Sequence, residues 1–260
     1  MKICSFNVNS IRARANLILT WLQHRDNDLD IICLQETKTM DSSFPTNIFE
    51  NVGFQCELFG QKAYNGVAIL SRIPYTAVQK GFSSDFLDEQ KRLISITVSD
   101  LHVVNLYVPH GDLRGATKYH YKLHWYDAVL QHFREHFSPD DKLIVVGDFN
   151  VARHDLDVYD PRIVHDKIGT MSEEREAFNK LLDWGLVDIY RKLYPNTPGF
   201  TWWDYIGGAI WKNEGMRIDY ILCTRPLINA ISNIEVDLWP RRRRTPTPSD
   251  HTPIIVTITR

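Results

Sequence analysis

The sequence lacks long apolar segments, cysteine motifs and any strong excess of charge. No stretch of its 260 residues approaches the roughly 18 consecutive apolar residues that can span a bilayer. The four cysteines lie far apart and never form a CxxC pair, so they offer no zinc cluster and are expected to be buried free thiols. The first residues also lack the unbroken apolar core of a signal peptide. We therefore expect a cytoplasmic protein that does not enter a membrane.

The charges nearly cancel, since 30 Lys and Arg residues stand against 32 Asp and Glu residues, for a net charge of -2. Any polyanion that binds must meet a local basic patch, so bulk charge neither predicts nor excludes nucleic acid. With 43% hydrophobic and 24% charged residues, the composition is that of a globular protein. The length allows one or two domains, but no linker, repeat or low-complexity tract divides the chain. We predict a single domain over residues 1–260.

Strand-like segments outnumber helical ones. Apolar residues at helical spacing predict helices after a capping Ser10, over residues 117–137 and over residues 172–184. Alternating or continuous apolar runs predict strands at 2–8, 30–34, 54–59, 66–70, 93–98, 101–108, 142–146, 217–223, 231–238 and 252–258. This pattern predicts an α/β protein with helices outside its sheets.

Six of the predicted strands border a short polar cluster. The clusters are FNVN at 6–9, LQETK at 34–38, NLY at 105–107, GDFN at 147–150, RID at 217–219 and SDH at 249–251. Carboxylates and amides beside buried strands are costly to desolvate unless they bind a cation or one another. Each cluster alone could be an ordinary turn. Six together favour one site, whose oxygen ligands would suit Mg²⁺ or Mn²⁺ and hence a phosphate substrate.

The sequence motifs occur in the order and spacing of a known family. They are SFNVNSIRAR, LQETK, NGVAILSR, NLYVPHG, GDFN, TWWDY, MRIDYIL and SDHTPI. From Lys2 onwards the chain resembles exodeoxyribonuclease III, the bacterial abasic-site endonucleases of the deoxyribonuclease I-like superfamily. That superfamily also contains phosphatases and sphingomyelinases, but TWWDY and GMRID resemble the DNA-repair branch. The resemblance implies a four-layer α/β/β/α sandwich of two mixed β-sheets flanked by helices.

The resemblance implies a divalent metal cofactor, Mg²⁺ or Mn²⁺. Glu36 would be the principal ligand, helped by Asn7 and Asp250, with Asn9 close by. The whole set of implied metal-site residues is Asn7, Glu36, Asp148, Asn150, Asp250 and His251. One metal ion and two metal ions are both compatible with the sequence.

The resemblance also implies catalytic roles. Asp148 would activate water or protonate the leaving oxygen, and Asn150 would position the nucleophile or the phosphate oxygens. His251, oriented by Asp219, would bind the scissile phosphate, as would Tyr107. Either Asp148 or His251 could be the general base.

DNA contacts are implied for residues around this centre. Arg12 and Arg114 match positions that grip phosphates, and Asn9 lies beside them. Trp202 matches an aromatic residue that packs against the abasic sugar, and Met216 matches an apolar residue wedged into the duplex. Without the resemblance, Trp202 could equally be a core or surface aromatic residue.

Two features depart from the family pattern. The first is the run Arg241, Arg242, Arg243 and Arg244 just before Ser249, which could be either a solvated face or a clamp on the DNA backbone. The second is a pair of histidines, His110 and His165. Either could narrow the sugar pocket and favour trimming of 3′ ends, although His165 could instead be exposed to solvent.

Together these observations predict a monomeric, metal-dependent DNA-repair phosphodiesterase. We expect it to cut double-stranded DNA 5′ to abasic sites, to remove blocked 3′ termini and to have 3′-to-5′ exonuclease activity. A phosphatase or phosphodiesterase of the same fold, acting on small phosphorylated molecules, is one alternative. A catalytically silent DNA-binding module is another, but all of the expected ligands are present.

Overall fold

Two β-sheets form the centre of the structure, a computed structural model that describes residues 1–259. With strands numbered along the chain, the first sheet has the spatial order β11 (Ile231–Val236), β12 (Ile254–Ile258), β1 (Lys2–Asn7), β2 (Ile31–Gln35), β4 (Val67–Ser71) and β3 (Gln55–Phe59). The second has the order β5 (Ala77–Lys80), β6 (Leu93–Val98), β7 (Leu101–Tyr107), β8 (Lys142–Asp148), β10 (Asp219–Thr224) and β9 (Leu186–Asp188). Each sheet combines one parallel pair, β1 with β2 or β7 with β8, with antiparallel neighbours. The predicted mixed sheets are confirmed.

Helices cover the outer face of both sheets. The long ones are α1 (Ile11–His24), α4 (Thr117–His136) and α6 (Ser172–Trp184), and the short ones are α2 (Thr46–Glu50), α3 (Asp85–Asp88), α5 (Pro161–Val164), α7 (Ile189–Leu193) and α8 (Ala209–Lys212). Trp21 of α1 packs on Phe6 of the first sheet, and Phe178 of α6 packs on Tyr220 of the second. The order of layers is therefore helix, sheet, sheet, helix, as predicted.

An apolar core fills the space between the sheets. In β2, Ile31 and Cys33 face this core, while Ile32 and Leu34 face α1. Successive side chains of a strand point to opposite faces, so a strand covered on both sides needs apolar residues at every position. This is the reason for the continuous apolar run at 30–34.

Several local features differ from the sequence-based expectation. Ser10 does not cap α1 through its side chain; its backbone N–H instead donates to the Glu36 carbonyl at 2.8 Å. The strand expected from residue 217 begins at Asp219, because the backbone N–H groups of Arg217 and Ile218 donate to the Asp157 carbonyl and to Thr201 Oγ1 rather than to a neighbouring strand. The edge strands β5 and β9 were not predicted. Among the helices of residues 1–259, none is long and apolar enough to cross a membrane.

Candidate active site

The topology brings the polar clusters to one edge of the two sheets. The parallel strands β1 and β2 end there, and so do β7 and β8, while β12 and β10 run in the opposite direction and begin there. A cavity of about 330 Å³ opens at this edge. Its lining consists of Glu36, Tyr107, His110, Asn150, Ile168, Gly169, Trp202, Met216, Ile218, Asp250 and His251.

Asn7 joins two carboxylates at the floor of the cavity. Its Nδ2 donates to Glu36 Oε1 at 2.9 Å and to Asp148 Oδ2 at 2.8 Å. The Lys38 ammonium lies 2.7 Å from Glu36 Oε2. Burial alone would raise the pKa of Glu36, but the charge of Lys38 and the bond from Asn7 outweigh it and lower that pKa. Glu36 is therefore ionised at neutral pH.

His251 lies between two carboxylates. Its Nδ1 is 2.9 Å from Asp219 Oδ2, and its Nε2 is 3.8 Å from Asp148 Oδ2. Burial alone would lower the pKa of His251, but the charges of Asp219 and Asp148 raise it to about 10. Burial, with the negative charges of Asp219 and Glu36, raises the pKa of Asp148 to about 7. The site thus combines an imidazolium with a carboxyl group that titrates near neutral pH.

One donor atom from each of Glu36, Asp148 and His251 lies within 4.8 Å of the other two, so these residues could surround a metal ion. Asp250 lies to one side of them. Its Oδ1 accepts a hydrogen bond from Asn9 Nδ2 at 2.9 Å, and its Oδ2 accepts one from Trp202 Nε1 at 3.1 Å. The sequence predicted these residues as one site, and the structure brings all of them to the same cavity or its floor.

Asn150 and Tyr107 complete the centre. Asn150 has a φ of 50°, and its backbone N–H donates to Asp148 Oδ1 at 2.9 Å. Its Nδ2 donates to the Val108 carbonyl at 2.9 Å. Burial and the charge of Glu36 raise the pKa of Tyr107 well above its usual value, so the phenol remains a neutral donor. The guanidinium of Arg92 stacks on the Tyr107 ring at 4.5 Å and helps to fix it.

The arginines predicted to contact DNA have different environments. Arg12 is exposed near the start of α1. Arg114 is also exposed, but it is held by Asp166 at 2.6 Å and by Glu173 at 2.8 Å. The structure corrects the prediction for Arg241, which is buried and donates from Nη2 to the Trp203 carbonyl at 3.1 Å. It is part of neither a solvated face nor a free phosphate clamp.

The other arginines of that run are exposed, but they do not face the cavity as a group. The guanidinium of Arg243 stacks on Trp239 at 4.3 Å, and Trp239 stacks on His24 at 4.7 Å. His24 is the last residue of α1, whose fourteen residues extend about 20 Å from the site. Arg242 and Arg244 are exposed to solvent beside Arg243.

The two histidines have different positions. His110 lines the 330 Å³ cavity. His165 is exposed and lines a separate cavity of about 180 Å³, so the expectation that it narrows the sugar pocket is wrong. The alternative, an exposed His165, is confirmed.

Sequence reasoning missed two apolar side chains beside the site. Ile206 and Leu113 are 79% and 70% exposed, and both line an apolar groove of about 920 Å³. The same groove contains Trp202 and the half-buried Met216. A signal was present, because isoleucine before two glycines is an apolar residue placed in a loop.

Known proteins are similar to this chain in both sequence and architecture. The model of the endonuclease/exonuclease/phosphatase family matches residues 4–251. Exodeoxyribonuclease III of Haemophilus influenzae is 33% identical over 98% of each chain. An AP endonuclease from Archaeoglobus fulgidus has a TM-score of 0.94 at 36% identity over 99% of each chain. A Neisseria 3′ phosphatase bound to a product DNA hairpin has a TM-score of 0.93 at 37% identity over the full length of both.

These similarities extend over the sheets and the polar edge alike. The chain therefore belongs to the endonuclease/exonuclease/phosphatase family and, within it, to the exodeoxyribonuclease III and AP endonuclease group. It is a hydrolase that acts on phosphodiester bonds.

Proposed function

We propose that this protein is a divalent-metal-dependent DNA-repair phosphodiesterase. It cuts double-stranded DNA 5′ to abasic sites and removes blocking groups from 3′ termini. It also has 3′-to-5′ exonuclease activity. The observation that carries this proposal is the convergence of Glu36, Asp148 and His251 beside a cavity with an aromatic wall at Trp202. A cavity of about 330 Å³ can hold one sugar-phosphate unit outside the base stack.

The donor set fits Mg²⁺ or Mn²⁺, which prefer oxygen ligands. We propose that Glu36 is the principal ligand of the ion, helped by the Asn7 and Asp250 oxygens. Asp148 and Asn150 lie beside the ion and act on the water and the phosphate. A protonated imidazole has no free lone pair, and Asp219 keeps His251 protonated, so His251 is proposed as a phosphate partner rather than a ligand. When bound, the ion supplies charge stabilisation at the phosphate oxygens.

The remaining chemistry belongs to the side chains. Asp148, whose Oδ2 lies 3.8 Å from His251 Nε2, is placed to exchange a proton with the attacking water or the leaving oxygen. The His251 imidazolium, oriented by Asp219, neutralises charge on the scissile phosphate. The phenolic O–H of Tyr107 donates a hydrogen bond to a phosphate oxygen, and Asn150 orients the nucleophile.

We propose that the rim of the cavity binds the duplex. Arg12 and Arg114 contact phosphates, Asn9 supports the strand near Asp250, and Trp202 packs against the sugar. Met216 is half-buried and lines both the cavity and the adjoining groove. The two strongly exposed residues of the adjoining groove, Ile206 and Leu113, are better placed to enter the base stack, as apolar wedges do in other DNA-bending proteins.

We also propose that the chain works as one domain and as a cytoplasmic monomer. The single-domain proposal is supported by the core between the sheets, which contains both Ile3 and Ile258. All four cysteines are free thiols and three are buried, as a reducing compartment favours.

The test compares two labelled duplexes, one with an abasic analogue and one with a 3′-phosphate, in Mg²⁺ or in EDTA. The wild type should act in Mg²⁺ alone, and Glu36→Ala and Asp148→Asn should each lose roughly 10²-fold or more in rate. Asp140→Asn, at an exposed carboxylate, is the matched control and should be fully active. The ratio of the rates on the two duplexes shows whether the enzyme acts mainly on abasic sites or mainly on 3′ ends. The proposal would be contradicted by a wild type that neither cuts the abasic duplex nor removes the 3′-phosphate but hydrolyses inositol phosphates.

A further inference from the structure

A buried ion pair lies directly behind the wall of the catalytic cavity. Lys122 on α4 and Glu174 on α6 are both fully buried, with Lys122 Nζ 2.5 Å from Glu174 Oε1. Two buried charges lose their hydration, and pairs of this kind are often no more stabilising than apolar residues of the same volume. Stability alone therefore does not explain the pair.

The pair connects three separate loops. Lys122 Nζ also donates to the carbonyl of Asn150 at 2.7 Å and to that of His110 at 3.2 Å. Glu174 Oε2 accepts a hydrogen bond from the Gly169 N–H at 2.7 Å. His110, Asn150 and Gly169 all line the 330 Å³ cavity. One pair thus fixes the backbone at three positions of the cavity wall.

Packing around the pair leaves little freedom. A Cβ on Gly111 would lie 2.9 Å from Lys122 Cδ, so only glycine lets this loop pass so close to the lysine. Asn150 has a left-handed φ of 50°, a conformation that Asn adopts more readily than most other residues. The Asn150 carbonyl accepts a hydrogen bond from Lys122 Nζ, and the backbone N–H of Asn150 donates one to Asp148 Oδ1. The ammonium is therefore linked to the reactive carboxyl through a single residue.

We propose that Lys122 and Glu174 form a positioning pair that keeps Asn150, and through it Asp148, in the geometry needed for phosphodiester cleavage. The inference rests on the proposed function. Neither residue reaches the cavity, so both act through the loops at His110, Asn150 and Gly169. Loss of the pair should affect the chemical step more than DNA or metal binding. Glu36, the principal metal ligand, and the DNA-binding residues at the rim have no contact with the pair and stay in place.

The test uses the double variant Lys122→Met/Glu174→Gln, which removes both charges and nearly preserves volume. We expect kcat on the 3′-phosphate duplex to fall by roughly 10- to 100-fold, since small misplacements of catalytic groups have effects of this size. KM for the duplex and the Kd for Mn²⁺ should stay near their wild-type values. The matched control is Arg25→Met/Asp237→Asn, which removes an ion pair at the far end of α1 and should leave kcat unchanged.

A double variant that folds and keeps the wild-type kcat would overturn the proposal. If it does not fold cooperatively, Lys122→Arg decides, because it keeps the charge but cannot place one nitrogen among the Asn150 and His110 carbonyls and Glu174. Lys122→Arg should also lose kcat at constant Mn²⁺ affinity, and a wild-type kcat in that variant overturns the inference. An inactive wild type would instead remove the proposed function and this role of the pair with it.

Discussion

Replacement of Asp148 by asparagine should stabilise the metal-free protein at alkaline pH. The same replacement should abolish the activity of the metal-loaded enzyme. The pKa of Asp148 is about 7, against 3.8 for an ordinary aspartate, because the carboxyl is buried and faces Asp219 and Glu36. Ionising it in the folded protein is therefore less favourable than in the unfolded chain. At about 1.36 kcal/mol per pKa unit, the difference amounts to roughly 4 kcal/mol of lost stability at pH 8.

The pH dependence of this loss has a definite direction. Well below pH 4 the carboxyl is protonated in both the folded and the unfolded state and makes no difference to stability. As the pH rises from about 4 to about 7, the unfolded chain releases this proton more readily than the folded protein, so stability falls. Asparagine carries no charge at any pH. Its amide would face Asn7 Nδ2, which is also a donor, and this conflict offsets roughly 1–3 kcal/mol of the gain.

We therefore expect Asp148→Asn to be more stable than the wild type by about 1–3 kcal/mol at pH 8, with a much smaller difference at pH 5. The measurement is urea unfolding in EDTA at pH 5, 6, 7 and 8, with Asp140→Asn as the exposed control. A variant that is no more stable than the wild type at pH 8 would refute the electrostatic reasoning. A gain that does not change with pH would refute it equally, because it would then come from packing.

Three further predictions concern the proton, the metal and the DNA. Asp219→Asn should lower the pKa of His251 from about 10 towards 6.5, so that an NMR titration moves into the neutral range and cleavage declines above pH 7; an unmoved titration would contradict the pairing. Mn²⁺ should raise the Tm of the wild type but not of Glu36→Gln, since a ligand that binds only the folded state stabilises it, and an equal rise in both would exclude Glu36 as the principal ligand. Arg242→Gln/Arg244→Gln should make the salt dependence of DNA binding shallower by about 0.9 per lost phosphate contact, whereas an unchanged slope would leave both arginines as solvated surface.

The strands that could be predicted accurately from the sequence are those whose neighbours bury both faces. The strand Leu93–Val98 was predicted with the bounds that the structure shows, because its residues are apolar or small and nearly all buried. The edge strands Ala77–Lys80 and Leu186–Asp188 were missed. Ala77–Lys80 is mostly exposed, and Leu186–Asp188 has only three residues. They become strands through pairing with β6 and β10, which no local pattern records.

The sequence located the residues of the candidate site but not their protonation. Asp148 and Asp250 both lie in short polar clusters bordering a strand, so local sequence treats them alike. The pKa of Asp148 is raised by burial and by the facing carboxylates of Asp219 and Glu36. Burial would also raise the pKa of Asp250, but His251 and the bonds from Asn9 and Trp202 lower it. These partners are far away in the sequence, and only folding brings them together.

The same limit hid the pair of Lys122 and Glu174, since charged residues on helices are normally expected at the surface. The two kinds of variant now separate stability from geometry at one site. Asp148→Asn should remove activity and raise stability, because the charge of the wild-type carboxylate opposes folding. Loss of the ion pair should lower kcat without changing metal affinity, because its charges hold the backbone rather than the substrate. If both results are obtained, the folded protein tolerates an unfavourable charge at Asp148. The ion pair of Lys122 and Glu174, behind the cavity wall, then keeps that charged group in position.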